Sequence, residues 1–171
     1  NFDALDGRVR LDIPGVRLRG NVFLGEGVEI DDIERIEGPA YLGNYCRIGA
    51  DATVGPYSVL SSSVTLRDRA RVVASVIDAS THIGRSALIE NAIIGRSCDI
   101  RSHVRIHEDV AVGDQVRIGA ESVVMPGVRI FPFKEVESGS QVYENLIFEA
   151  RSSPQLFGQG AVMGLVNVDL T

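Results

Sequence analysis

The feature that most constrains this chain is an aliphatic residue at every sixth position. Leu18, Leu24, Ile30, Ile36, Leu42, Ile48, Val54, Leu60, Leu66 and Val72 keep that spacing without a gap. The run resumes one residue early at Ile77, Ile83 and Ile89. It resumes again at Ile94 and continues through Ile100, Ile106, Val112, Ile118, Val124, Ile130, Val136 and Val142. A last anchor falls at Ile147, making 23 positions, every one of them Leu, Ile or Val. A helix would bring apolar residues back at intervals of three and four, and a half-buried strand at every second residue. Period six fits neither. It describes a short strand, a turn and another short strand, repeated along the chain.

The rest of each hexad supports this. The residue four places after an anchor is usually small or β-branched, as at Ala40, Cys46, Ala52, Ser58, Ala87, Cys98 and Ser122, with Glu34 and Lys134 as clear exceptions. The residue just after the anchor is often glycine, as at Gly25, Gly43, Gly49, Gly55, Gly84, Gly95, Gly113 and Gly119. Glycine there predicts a corner whose backbone angles other residues avoid. The chain holds 37 Val and Ile, 18 Gly and no Trp among its 171 residues, a bias toward short strands and turns. One buried anchor contributes about 1.5–3 kcal/mol. Ordering the backbone of six residues costs about 1–2 kcal/mol for each. A lone hexad therefore cannot fold, and the units must stack into a solenoid.

On these anchors, small inward residues and corner glycines, residues 18–147 resemble hexapeptide-repeat proteins. That resemblance implies an all-β, left-handed parallel β-helix of triangular cross-section. With three strands to a coil, the anchors make about seven to eight coils, and at ~4.8 Å per coil the prism is roughly 35 Å long. The three register breaks follow anchors 10, 13 and 22 in order. All three numbers leave the same remainder on division by three, so the shortened corners are expected to stack along one edge. Each break carries an aliphatic pair: Val76-Ile77, Ile93-Ile94 and Leu146-Ile147. Cys46 and Cys98 fall at the small inward position on one face, three coils and about 14 Å apart, too far for a disulfide. They are expected to be buried free thiols.

Candidate chemistry is sparse. The three histidines are His82, just before an anchor, His103, in a corner, and His107, just after an anchor. The gamma-type carbonic anhydrases, which share the hexapeptide repeat, bind zinc through three histidines between subunits. Zinc needs nitrogens converging at ~2.0–2.1 Å, and these three lie near different edges of one subunit. Acyltransferases with this repeat use a catalytic histidine as general base, often with an external loop and a Gly-x-Pro-Ala-type ending. Here the hexads run from 18 to 147 without a loop insertion, and the ending reads Val142-Tyr143-Glu144-Asn145-Leu146-Ile147. The recurring glycines read as corners, not as a phosphate-binding loop. No catalytic, cofactor-binding or metal-binding residue is expected in this chain, and no cofactor.

A net charge of −6, with 17 basic residues scattered along the chain, argues against a nucleic-acid partner. No apolar run approaches the ~20 residues of a membrane span, and no secretory leader opens the sequence. Two cysteines suit a reduced, cytoplasmic setting.

The ends of the chain carry a second resemblance. Residues 1–17 lack the register, with Pro14-Gly15 as a turn, and are expected to cap the open N-terminal edge. Phe131-Pro132-Phe133-Lys134-Glu135-Val136-Glu137, Leu146-Ile147-Phe148-Glu149 and Asn91-Ala92-Ile93-Ile94-Gly95 resemble the β-helix of sugar-1-phosphate nucleotidyltransferases. That domain is expected over 18–150. Over 151–171 a Ser-Ser-Pro linker leads to Leu156-Phe157-Gly158-Gln159-Gly160-Ala161-Val162-Met163-Gly164, which is similar to the opening strand of phosphohexomutases. Gln159, Ala161 and Met163 stand where that family has Thr, Gly and Arg, and the missing Arg removes a phosphate contact. The combination resembles fusions of mannose-1-phosphate guanylyltransferase to phosphomannomutase. It implies a non-catalytic β-helix that spaces and orients flanking catalytic domains and forms homo-oligomers through a face or edge. Acyl-CoA-dependent acyl transfer and zinc hydration chemistry are the alternatives.

Overall fold

The computed structural model describes residues 15–147. Three mainly parallel sheets form the three faces of a prism, and from Ala40–Leu42 onward each consecutive strand belongs to the next face. The hexad is what produces this. Every anchor lies above the anchor three hexads earlier, because three hexads close one coil. On face A the stack runs Leu24, Leu42, Leu60, Ile77, Ile94, Val112 and Ile130. Face B stacks Ile30, Ile48, Leu66, Ile83, Ile100, Ile118 and Val136. On face C, Ile36 bridges to Val54, followed by Val72, Ile89, Ile106, Val124 and Val142. The result is a parallel β-helix of seven coils, as the periodicity leads one to expect, with the left hand that the hexapeptide-repeat resemblance implies.

The anchors fill the axis. Leu42, Leu60, Ile77, Ile83, Ile89, Ile94 and Ile100 are fully buried. The small residues four places on sit beside them, with Ala40, Cys46, Ser58, Val64 and Ala70 likewise buried. Small size there is a packing requirement, since three faces converge on one narrow axis and larger groups would overfill it. The buried hydroxyls are satisfied. Thr81 Oγ1 donates to the Gly95 carbonyl at 2.7 Å and accepts from the Cys98 N–H at 3.1 Å. Ser75 Oγ donates to the Val73 carbonyl at 2.7 Å and accepts from the Ala92 N–H at 3.0 Å.

The shortened corners do fall on one edge. Val72 to Ile77, Ile89 to Ile94 and the last corner after Val142 all turn from face C to face A. The missing residue is absorbed in the corner, so Leu60, Ile77 and Ile94 still stack in register.

Three details differ from the sequence expectation. First, the corner glycines do not occupy left-handed backbone. The positive φ falls three places after the anchor, on residues such as Tyr45, Asp51, Ser63, His103 and Phe133, or two places after it in the short corners at Ala74 and Asn91. The glycine just after the anchor is there for space: a Cβ on Gly43 would lie 2.8 Å from the Ser61 carbonyl carbon and 2.9 Å from the Ser62 nitrogen of the next coil. Second, Leu18 does not open the coil. A 3-10 turn at Arg19–Asn21, with Gly20 and Asn21 both at positive φ, reverses the chain. The strand Val16–Leu18 (β1) then pairs antiparallel with Val22–Leu24 (β2), covering the open edge of face A. Third, the final anchor is Leu146, which bridges to Ile130, whereas Ile147 is 42% exposed. This corner loses two residues. The Asn145 side chain accepts from the Arg129 N–H and fixes the tighter turn.

Of the two exceptions to the small-residue pattern, Glu34 lies in a 3-10 turn, Ile33–Arg35, capped by the Asp32 carboxylate on the Glu34 N–H. Lys134 is half-buried in the corner after Ile130, where its carbonyl accepts from the Arg117 N–H. Residues 1–14 of the expected N-terminal cap, and the expected linker and mutase-like strand at 151–171, lie outside the described residues.

Candidate functional site

Inside the prism all three faces are alike. Outside, where each residue preceding an anchor points to solvent, they diverge. Face B presents Glu29, Arg47, Thr65, His82, Asp99, Arg117 and Glu135 in one row. Its charges pair along the stack: Glu29 with Arg47 at 3.6 Å, and Arg117 with Asp99 at 3.8 Å and Glu135 at 3.3 Å. Such exposed pairs contribute about 0.2–1 kcal/mol each at most. Face C is mixed, with Thr53, Arg71, Leu88, Arg105, Val123 and Gln141. Face A is different. Its row reads Phe23, Tyr41, Val59, Val76, Ile93, Ala111 and then Arg129. Ile93 is 58% exposed in its middle.

Several open grooves run along the described surface, and two of them border the rows on faces A and B. One, about 480 Å³, lies where the short corners meet face A and is lined by Ala74, Val76, Asn91, Ile93, Asp109 and Arg129 among others. The other, about 500 Å³, lies on face B between Arg67, His82, Arg85, Asp99 and Arg101.

The three histidines stay apart. His82 is on face B, His103 in the B-to-C corner one coil further on, and His107 in the C-to-A corner after Ile106. Partial burial holds the His82 imidazole below the ordinary histidine range. Asp99 opposes that shift, and Arg67 and Arg101 add to it. Among the described residues no three His, Cys, Asp or Glu side chains gather as a metal set. Cys46 and Cys98 are free and buried on face B, as their spacing implies. Each thiol donates inward, Cys46 to the Ser61 carbonyl at 3.0 Å and Cys98 to the Gly113 carbonyl at 3.1 Å. Burial pushes both thiols up from the ordinary value of 9.0, so neither forms a ready thiolate nucleophile. No helix among the described residues is long and apolar enough to cross a membrane.

The apolar row on face A escapes a reading of anchors alone. Its signal is present nonetheless, in the residue before every third anchor, a period of 18 that shortens to 17 across each of the first two breaks.

Comparison with known proteins places this architecture. Residues 36–147 match the family model described as the GMPPB C-terminal domain. The chain is 32% identical over 130 residues to "Probable mannose-1-phosphate guanylyltransferase 2" of Oryza sativa subsp. japonica, covering 76% of this chain and 34% of the relative. It is 32% identical over 103 residues to "Bifunctional protein GlmU" of Paraburkholderia phymatum, covering 60% of this chain and 18% of the relative. The chain thus spans about a third of the first relative and under a fifth of the second. Among solved structures, a hexapeptide transferase family protein from Anaplasma phagocytophilum aligns with a TM-score of 0.48 at 18% identity, covering 70% of this chain and 72% of that one. With its matched segment spanning almost all of the seven-coil solenoid, the chain belongs to the GMPPB C-terminal domain family.

Proposed function

We propose that this chain is the non-catalytic β-helix of a sugar-1-phosphate nucleotidyltransferase of the mannose-1-phosphate guanylyltransferase type, where it spaces and orients the catalytic domains and supports their assembly. The observation that carries this reading is the family match over residues 36–147, joined to a solenoid that presents surfaces and no converging reactive side chains among its described residues. A prism of seven coils suits the task. Each coil is hydrogen-bonded to the next through both of its neighbours, so the two ends hold a fixed separation of roughly 30 Å. Domains joined to such a rod keep their relative orientation where a flexible linker would lose it. The reaction itself, joining a nucleoside triphosphate to a sugar 1-phosphate with release of pyrophosphate, then belongs to residues outside this chain. The working setting is the cytoplasm, where its two thiols stay reduced.

The test measures pyrophosphate release from GTP and mannose 1-phosphate by this chain alone and by the longer protein read from the flanking coding sequence. The expected result is no turnover by the chain and turnover by the longer protein. Acetyl transfer from acetyl-CoA by this chain alone, abolished by His82→Ala, would replace this reading with the acyltransferase one. Stoichiometric zinc in the purified chain would replace it with the metal-enzyme one.

A further inference from the structure

The outward row of face A has a property that the anchors do not require. It reads Phe23, Tyr41, Val59, Val76, Ile93, Ala111 and Arg129. Val76 is the middle member, and the row is complementary to itself when reversed about it. Ile93 then meets Val59. The small Ala111 meets the large Tyr41. Phe23 falls opposite Arg129, whose guanidinium is held within its own chain by the Asp109 carboxylate and the Gly127 carbonyl, while Arg17 already lies over the Phe23 ring at 5.8 Å. We infer that face A is the contact surface for a second copy of this chain, packed with its long axis reversed about a two-fold axis through Val76.

The alternative two-fold, parallel to the long axis, pairs each residue with itself. It would set Tyr41 on Tyr41 and Phe23 on Phe23, leave a gap at Ala111, and put Arg129 on Arg129. Bulk against bulk disfavours it, whereas the reversed pairing matches bulk with space. Faces B and C suit this role less. Face B carries charged groups already paired along its own stack, and face C is interrupted by Arg71 and Arg105. The groove beside the short corners adds a recess next to Val76 and Ile93, at the centre of the proposed contact. At ~4.8 Å per coil and roughly 17 Å of face width, face A offers just under 600 Å² per copy, or about 1,150 Å² in the pair. That sits at the lower end of specific interfaces, so a dissociation constant near the micromolar range is expected.

This inference rests on the assembly role proposed above, and its experiment needs no catalysis. Sedimentation velocity on the 171-residue chain is expected to show a monomer–dimer equilibrium. Ile93→Glu is expected to weaken it at least tenfold, while Leu88→Glu, on face C, leaves it unchanged. Both sites face solvent, and circular dichroism confirms that each variant is folded; Ile93→Ser carries the same test should the glutamate variant fail to fold. Orientation is read by cross-linking. Facing residues on packed sheets lie ~10 Å apart, so a short bis-maleimide is the right probe, and the buried native thiols do not compete. Tyr41→Cys combined with Ala111→Cys is expected to give covalent dimers, and Tyr41→Cys alone is not. A chain that stays monomeric at about 100-fold above the expected micromolar range would overturn the inference. So would a dimer indifferent to Ile93→Glu, or one linked by Tyr41→Cys alone. A failure here leaves the nucleotidyltransferase assignment standing, because that is decided by turnover in the longer protein.

Discussion

Substitution of Gly43 separates two explanations of the corner glycines that look alike in sequence. If the corner needed left-handed backbone, asparagine would be better tolerated than alanine, because its side chain is the more compatible with positive φ. The structure assigns the constraint to space instead. An added Cβ would stand 2.8 Å from the Ser61 carbonyl carbon, 2.9 Å from the Ser62 nitrogen and 3.1 Å from the Leu60 oxygen. These are backbone atoms of the adjacent coil, held there by the Gly43 N–H donating to the Leu60 carbonyl at 2.7 Å. They cannot rotate away, so the two coils must part by several tenths of an ångström. Overpacking of this kind costs about 1–3 kcal/mol. At ~2–4 °C for each kcal/mol in a chain of this size, Gly43→Ala should melt roughly 3–10 °C below the parent. Gly43→Asn should fall further, since it adds volume at the same place. Gly127 is the control. Its φ is +78° and no atom lies within 4 Å of an added Cβ. Gly127→Ala therefore carries only the left-handed strain of about 1–2 kcal/mol, and Gly127→Asn should recover part of it. Equivalent corner positions already hold Asp51, Ser63 and Asp109 at positive φ. The assay is equilibrium denaturation of the four variants followed by far-UV circular dichroism. The reasoning fails if asparagine outperforms alanine at position 43, or if the order at 127 is reversed.

Three further outcomes follow from buried polar groups and titration. Thr81→Val keeps the volume but leaves the Cys98 N–H and the Gly95 carbonyl without their hydroxyl partner; a loss of about 1–3 kcal/mol in denaturant titrations is expected. Cys46 and Cys98 should resist a thiol-specific aromatic disulfide in the folded chain and react fully once guanidinium unfolds it, because both thiols are buried. Their folded-state values are raised, so the unfolded chain gives up those protons first. Stability should therefore be full below the ordinary thiol value of 9.0 and decline as pH rises past it, and a double Cys→Ala variant should flatten that decline. The His82 value is lowered, so the unfolded chain takes up its proton first as pH falls. Stability should be full above 6.5 and decline below it, and His82→Gln, compared by urea midpoint on either side of that value, should remove this share of the decline.

The legible parts of the fold were those the axis dictates. An anchor such as Leu60 or Ile89 has no alternative but to point inward, so its spacing reports the coil directly. The stacking of the short corners was legible for the same reason, since three hexads close one coil and the count modulo three names the edge. The two ends were not. At Leu18 and Ile147 the hexad continues on paper, but among the described residues a neighbouring coil is present on one side only. Local chemistry then decides: Gly20 and Asn21 reverse the chain at one end, and Asn145 tightens the turn at the other. The corner glycines were located correctly but explained wrongly, because period six cannot distinguish a residue that needs unusual dihedrals from one that lies beneath its neighbour's backbone. The candidate surface was hidden for a different reason. Phe23, Tyr41, Val59, Val76, Ile93 and Ala111 are separated by one whole coil each, and along the chain their neighbours at the same hexad position are Glu29, Arg47 and Arg71. Averaged over hexads the outward position is polar. Only after the chain is wound does one third of those positions prove apolar.

That division between inside and outside bears on where function can reside in such a fold. The inward residues are much alike between faces: all three stack Ile and Val, with Leu added on faces A and B, and any of these would support the coil. Folding therefore sets no requirement on the outward rows beyond compatibility with short strands. A row like that of face B, with Arg47, Asp99 and Arg117 among its members, would serve face A equally well as far as the coil is concerned. An uninterrupted apolar row is instead a solubility cost, since exposed apolar patches invite association. The break geometry sharpens the point. Had the short corners displaced the strands along the face, Val76 and Ile93 would have slipped to the inner side, because a one-residue slip exchanges the two sides of a strand. The corners absorb the loss, and both residues remain in line with Val59 above and Ala111 below. The row survives a disturbance that could have broken it, at the place where its exposure is greatest. A surface that folding does not need and solubility opposes is the ground for proposing that a second copy covers it.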